Sequence, residues 1–512
     1  MNSTRHVIFI ATWLGLSLVA PAASAGVNIK NGNFYTSYLD MRSSGEPFLS
    51  IDRTYNSTSV FVGLFGPGWN TQFETFLQVF PDGRLLIYEN GGGSTTGFDP
   101  PTLDPEGFDA AVATLLLAAR AASMPDYLKD PGQYRARLGR DADFRNAQWT
   151  KLVNLGELAP RALPIGARLS SSFDHYDQYV LRLAAGYARY SGSGKIEFFD
   201  DSGKLVRIAH ADGYQIEFNH DASDRLSSVR DSLGRELRFT LNAEGRIIRV
   251  ENSEGHRATY TYGPDGWLIK SHDAGDNVFH YTYDTLHNLV AVGYEDGTTR
   301  EMRYEPYTSY THSERTSDGN VQIYHYPPEE KLPGDGQRYS TIIEYRDERG
   351  ALQKQNESTY YIRVRADGVS SSERIVRLVD GVTSDYTYDD HGRTMRVVRD
   401  GFPTDISYDT RGRVVEKRTP RRVTRLAYNH FGLSSILLED PANSEEVART
   451  TFEYGLEGQL METIDSQGRS LTVTYHGNGQ PEKVSWTVDG QTHYQNFGCP
   501  DYFDSDDLPS EP

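Results

Sequence analysis

A single cysteine among 512 residues, Cys499, rules out an internal disulfide framework and any zinc site built from several thiolates. Positive charge is scarce: 52 Lys and Arg stand against 71 Asp and Glu, a formal net charge of −19. That balance argues against nucleic acid or an anionic membrane surface as partner. Long apolar runs are also missing. The one candidate, Val7–Ala20, is 14 residues, short of the roughly 20 a helix needs to cross a bilayer. There is no Walker A loop and no H-E-x-x-H. Gly91–Gly97 (GGGSTTG) places its third glycine one residue too far for G-x-G-x-x-G, and Gly192-Ser193-Gly194 is not a nucleophile elbow. No metal site, cofactor or catalytic residue is expected.

The first 25 residues read as a targeting segment. Arg5 precedes the apolar run, Pro21 breaks it, and Ala23-Ser24-Ala25 offers the small residues a signal peptidase requires. Cleavage is expected between Ala25 and Gly26, giving a Sec-exported chain, periplasmic or extracellular, with no transmembrane segment in its mature form.

What the chain has in abundance is tyrosine (33) and glycine (47), a composition suited to strands and tight turns. Their order is periodic. Gly203, Asp224, Gly245, Gly266 and His287 lie 21 apart, followed two residues later by Leu205, Leu226, Ile247, Leu268 and Leu289. Phe218, Phe239, Tyr260 and Tyr281 keep the same step, and a second corner runs through Gly213, Gly234, Gly255, Asp276 and Gly297. Each unit reads as strand, turn, strand, turn. In Ala258–Tyr262, period-two alternation places Tyr260 and Tyr262 on one face, and Gly263–Gly266 (GPDG) is the turn. Histidines fall at different places in the unit (His210, His220, His256, His272, His280, His287), so no face collects them as ligands. After a divergent stretch at 305–340 the pattern returns in Tyr388-Asp389…Gly392-Arg393 and Tyr408-Asp409…Gly412-Arg413, with further copies at Tyr428, Tyr454 and Tyr475. Each Tyr is expected to pack at a strand end while its Asp bonds the turn backbone.

These units, together with Phe199–Lys204 (FDDSGK), resemble the YD repeats of the Rhs family over about 300 residues. Leu49–Ser57 (LSIDRTYNS) followed by Gly63–Trp69 (GLFGPGW) is similar to the N-terminal domain that commonly precedes such repeats. Arg53, Tyr55, Gly66, Gly68 and Trp69 carry that similarity, with packing and turn geometry as their expected roles. The resemblance implies a coiled antiparallel sheet, part of the shell that encloses a C-terminal toxin in some relatives or serves adhesion in others. The autoproteolytic Asp-Pro-x-Gly motif of toxin-carrying relatives is absent, and nothing after Phe497 is long enough to be a toxin.

One segment departs from the β pattern. Asp104-Pro105 is an N-cap and N1 pair ahead of the Ala- and Leu-rich Glu106–Ser123, and shorter helices are expected around Pro131–Leu138 and Phe144–Leu155. The expected organisation is a signal peptide (1–25), an N-terminal β domain (26–98), a helical insertion (99–165), a β connector (166–195), YD repeats (196–498) and an acidic, disordered tail (499–512). The fold class is mainly β. An open ribbon leaves its aromatic side to be covered, either by the 99–165 helices or by a second chain. Function is then a secreted, non-enzymatic scaffold or adhesion module. Its expected partner is a second Rhs-type chain, a further copy of itself, or a glycan stacked on its aromatic rows. The alternatives are the N-terminal part of a split or decayed toxin cage and, more weakly, a glycan-active enzyme using a carboxylate pair.

Overall fold

The structure, a computed structural model, describes residues 23–496 apart from 92, 101–104, 172–177, 334–335, 366–367, 457, 477–480 and 489. The apolar run before Ala23, the Asp104 cap, and Cys499 with the acidic tail lie outside the described residues. Two units organise the rest: residues 23–171, 178–327 and 341–355 form the first, and 328–340 and 356–496 the second. The protein is mainly β; among the described residues there are a large open antiparallel sheet of 34 strands and four α-helices.

In the first unit, strands β1 (Ala23–Asn28), β2 (Asn33–Arg42), β3 (Ser50–Asn56) and the short Trp69–Thr71 make a separate four-stranded sheet. The large sheet begins with Phe76–Val79, Leu85–Glu89 and Ser94–Asp99, whose last strand pairs with Arg168–Ser171 beyond the helices. From Ile196–Phe199 onward the repeat takes over, each strand pairing with its sequence neighbour. Both rows of corners hold left-handed backbone. Gly203, Gly245 and Gly266 have φ of 88°, 82° and 78°, and Asp224, His287 and Asp276 take 60°, 65° and 65° in the same places. The tight hairpin demands that conformation, and glycine is simply its cheapest occupant. A bulge recurs one step before or at the Tyr position, as between Thr261 and Tyr262 or Ser407 and Tyr408, and bends each hairpin the same way.

The ribbon's first edge does not stay open. Leu77 donates its amide to the Gly203 carbonyl at 2.7 Å, and Phe76 bridges to Lys204. A Cβ on Gly203 would lie 1.9 Å from the Leu77 carbonyl oxygen, so a side chain there would separate the turn from the edge it caps.

The helical insertion forms α1 (Pro105–Ala121), α2 (Pro125–Lys129), α3 (Pro131–Arg140) and α4 (Ala142–Asn154). Asp130 caps α3 by accepting from the amides of Gly132 and Gln133, with Pro131 in the first turn, and Asp141 caps α4 through Phe144. Leu115 and Ala119 of α1, Leu138 of α3, and Trp149 and Leu152 of α4 bury against Phe80, at the tip of the Phe76–Glu89 hairpin. Buried Arg145 reaches Asp82 at 3.4 Å and the Leu138 carbonyl at 2.9 Å. The helices therefore dock on that hairpin. The apolar side of the first repeats is covered instead by the N-terminal sheet, whose Phe34, Tyr38 and Trp69, with Phe65 of the adjoining turn, share one core with Leu226, Tyr260, Leu268 and Leu289. The reason is shape: a flat sheet meets a long strand array along its length, whereas a compact helical knot meets one hairpin.

Candidate functional site: the tyrosine face of the repeats

Tyrosine does more than pack. Tyr262, Tyr283 and Tyr304 donate their phenols to the carbonyls of Ile247, Leu268 and Leu289 at 2.6, 2.8 and 2.8 Å. Tyr408, Tyr428 and Tyr475 donate in the same way to Thr394, Val414 and Leu460, at 2.8, 2.8 and 2.7 Å. Each phenol reaches the first residue of the return strand of the preceding hairpin, tying neighbouring units together. Phenylalanine could fill the space but could not make this tie.

The Asp that follows closes the turn. Asp389 accepts from the amides of His391 and Arg393 at 2.9 Å each and pairs with the Arg393 guanidinium at 2.6 Å. Asp409 does the same with Arg411 and Arg413. Burial raises the Asp409 carboxyl, yet these amides and the guanidinium outweigh it and hold it below its ordinary value. Gly392 and Gly412 supply the left-handed corner, with φ of 77° and 78°. Tyr388 is half-buried beside them.

Over the first repeats a charged lock joins this face to the N-terminal sheet. Arg53 is fully buried. Its guanidinium makes two bonds to Asp40 (2.9 and 3.1 Å) and one each to Ser271 and Tyr281 (3.0 Å each), and lies 4.5 Å from the Trp69 ring centroid. Asp40 also accepts from Tyr260 at 2.8 Å. Burial pushes the Tyr281 phenol up to about 12, so it stays neutral while it accepts from Arg53. Trp69 donates to the Tyr283 hydroxyl at 2.8 Å, and the Tyr55 hydroxyl accepts the Leu289 amide at 3.0 Å. Gly66 (φ 92°) lets the chain approach Gly266, whose carbonyl would lie 2.8 Å from a Cβ, and Gly68 (φ 72°) passes against the Tyr55 ring. Main-chain bonds continue along the seam, Ile247 to Leu64, Ala274 to Asp40 and Thr311 to Gly32. Ala23, Ala25 and Gly26 lie in β1, opposite Tyr38, Thr36 and Tyr35.

Asp40, Tyr260, Tyr281 and Ser271 were not singled out as site residues from sequence, although the signal is there. In the row Val229, Val250, Ser271, Val292 one member is polar, and in Phe218, Phe239, Tyr260, Tyr281, Met302 two carry hydroxyls. The polar substitutions mark where Arg53 and Asp40 sit. The cluster is buried throughout, and its bonds tie the N-terminal sheet to the repeats.

In the second unit the same face has no such cover among the described residues. Tyr386, Ile406, Leu426 and Phe452, the counterparts of buried Tyr260, are only half-buried, and Val473 alone in that row is buried. Phe402 is 66% exposed. Among the described residues no group of three His, Cys, Asp or Glu could hold a metal ion, and no helix is long and apolar enough to cross a membrane.

Comparison with known proteins agrees with the repeat. The RHS Repeat family model matches residues 199–236 and 264–299, and a domain of unknown function, DUF6531, matches 24–98. No curated protein matches. Among solved structures, the chain is similar to the crystal structure of TcdB2-TccC3-Cdc42, at 11% identity and a TM-score of 0.38, over 91% of this chain and 27% of that one. The Photorhabdus luminescens Tc holotoxin pore matches with the same four values. A porin-like protein from Bacteroides uniformis matches at 13% identity with a TM-score of 0.13, over 51% of this chain and 88% of that one. This chain spans about a quarter of the length of the toxin-complex chains it matches.

Proposed function

We propose that this RHS-repeat chain, with its DUF6531 domain, is an exported, non-enzymatic scaffold of the bacterial envelope or exterior that works by binding. The observation that carries the reading is the contrast along one repeat: the tyrosine face is sealed by the N-terminal sheet in the first unit and half-open in the second. An antiparallel sheet with one apolar face accessible is a contact surface. Export rests on the apolar run and Ala23-Ser24-Ala25; cleavage after Ala25 leaves Gly26–Asn28 paired with β2. N-terminal sequencing of the chain from an extracytoplasmic fraction is expected to begin at Gly26. Light scattering on that material, with glycan-array binding and glycoside hydrolysis assays beside it, tests the rest. Association with a second chain or a glycan, without turnover, is the expected outcome, and glycan hydrolysis would overturn it.

A second reading, one part of a split or decayed Rhs cage, is favoured by the strand Gln491–Asn496. All six of its residues are exposed, and it pairs only with Pro481–Val488 among the described residues. Such an edge can accept a further strand from another chain. Co-expression with a neighbouring reading frame that continues the repeats would yield a stable complex on this reading.

A further inference from the structure

Charge is spread unevenly along the second unit. Residues 391–425 hold ten Lys and Arg against four Asp and Glu, in a chain of net charge −19. On the face opposite the tyrosines, arginines are paired: Arg374 with Asp385 at 2.7 Å, Arg396 with Asp405 at 2.9 Å, Arg425 with Glu439 at 2.9 Å. The tyrosine face differs. Register places Arg399, Lys417 and Arg422 on it, since Arg399 faces Ser384, beside Tyr386, while Lys417 faces Ile406 and Arg422 faces Thr419. All three are exposed, and none takes part in an ion pair among the described residues. Between Val382 and Tyr428 the strand positions of this face hold no carboxylate.

Lys417 says most about what such a face can meet. It follows Val414 by three residues, as Val250 follows Ile247, and Val250 is fully buried in the core shared with the N-terminal sheet. An apolar cover of that kind would strand the ammonium, and burying an unpaired charge is strongly unfavourable. A cover on the second unit must therefore bring carboxylates. It must bring apolar groups as well, because Val397, Ile406 and Leu426 are half-buried and Phe402, opposite Arg399, is 66% exposed. An anionic sugar supplies the first without aliphatic or aromatic side chains. An acidic polypeptide supplies both.

We propose that this face is the docking site for an acidic, aromatic-bearing segment of another protein chain. The inference rests on the binding reading above and names the partner's chemistry. Carboxylates pair with Arg399, Lys417 and Arg422, and an apolar side chain packs beside Phe402 and Ile406. Each exposed pair is weak alone. The three cations sit on strands Thr394–Arg399, Val414–Thr419 and Arg422–Tyr428, with about 4.8 Å between neighbouring strands. They therefore present one field that steers and orients an acidic chain.

Fluorescein-labelled poly(Glu,Tyr), titrated with the full chain and followed by anisotropy, should bind at low salt and be released as salt screens exposed charges. Arg399→Gln, Lys417→Gln and Arg422→Gln combined should weaken binding about tenfold or more, with β-sheet circular dichroism and thermal unfolding unchanged. Arg396→Gln with Arg425→Gln, on the opposite face, should leave it as it was. Phe402→Ala should weaken binding of poly(Glu,Tyr) but not of poly-Glu. No binding at low salt overturns the proposal, as does binding that ignores the three cations or that the opposite pair weakens equally. Heparin held more tightly through the same three cations overturns it in favour of an anionic sugar. A dimer in light scattering that the triple change disperses overturns it in favour of a second copy. Glycan hydrolysis would sink the scaffold reading and leave these titrations unaltered, so the two failures are separable.

Discussion

Tyr262 and Tyr408 stand at the same place in the repeat, and each gives its phenol to the carbonyl at the start of the preceding return strand. Around Tyr262 the face is closed by Phe65, Trp69 and the Arg53–Asp40 pair, whereas around Tyr408 its neighbours Ile406 and Val414 remain half-buried. One local motif thus serves two environments. The hydrogen-bonded ladder belongs to the repeat, and burial belongs to whatever lies across from it. The row of Val229, Val250 and Val292, fully or nearly fully buried, has Val397, Lys417 and Ile436 at the matching places in the second unit. Side chains there follow the partner, not the fold.

The most damaging way to erase this contrast is Arg53→Ala. It strips Asp40 of its cation inside a sealed core, and the expected cost is about 3–5 kcal/mol, read as a lower denaturation midpoint of the first unit's transition with the second unit's little changed. Replacing Arg53 and Asp40 together by Met and Leu should recover much of that loss, because no orphan charge remains.

Corner glycines provide the next comparison. Gly203→Ala meets both a left-handed backbone and the Leu77 carbonyl, so a loss of about 3 kcal/mol or more is expected. Gly381→Ala, at φ 80° with open space around its Cβ, should cost about 1 kcal/mol. Equal losses in thermal unfolding would show that the capped edge near Leu77 adds nothing. Tyr262→Phe and Tyr408→Phe sharpen the contrast at finer scale. Leaving the Ile247 carbonyl unsatisfied under cover should cost about 1–2 kcal/mol, and the half-exposed Thr394 carbonyl, which water can reach, about 0.5 kcal/mol.

The two units are also expected to differ in pH response. Burial pushes the Glu74 carboxyl up to about 8, against the amides of Leu64 and Thr71 that it accepts. A raised folded value means that its contribution is fully present below about 4.5 and declines as pH rises through about 8. Asp409 and Asp465 in the second unit are held low by turn amides and their arginines, against the effect of burial. Their contribution is present above 3.8 and is lost as pH falls further. Melting followed from acid to mildly alkaline pH should therefore show opposite trends in the two transitions, and Glu74→Gln should flatten the first.

Much of this was legible in order along the chain. The 21-residue step located the corners, and Tyr-Asp located the strand ends where Asp389 and Asp409 bond their turns. Arg53, Tyr55, Gly66, Gly68 and Trp69 stood out as a group, yet their partners did not. Asp40 was one acid among many, and Ser271 and Tyr281 lie more than 200 residues from Arg53. The cover was expected from the helices or from a second chain, because composition cannot tell which element will lie across a given face.

What the sequence by itself determined is what depends on near neighbours: alternation, left-handed corners, carboxylates closing turns, and the phenol tie across about 15 residues. These follow from backbone geometry and bonds a short segment completes alone. Only the tertiary structure decided that the N-terminal sheet seals the first repeats and that Gly203 caps the opening edge. Such contacts join residues far apart in the chain, where burial and charge pairing depend on which surfaces meet.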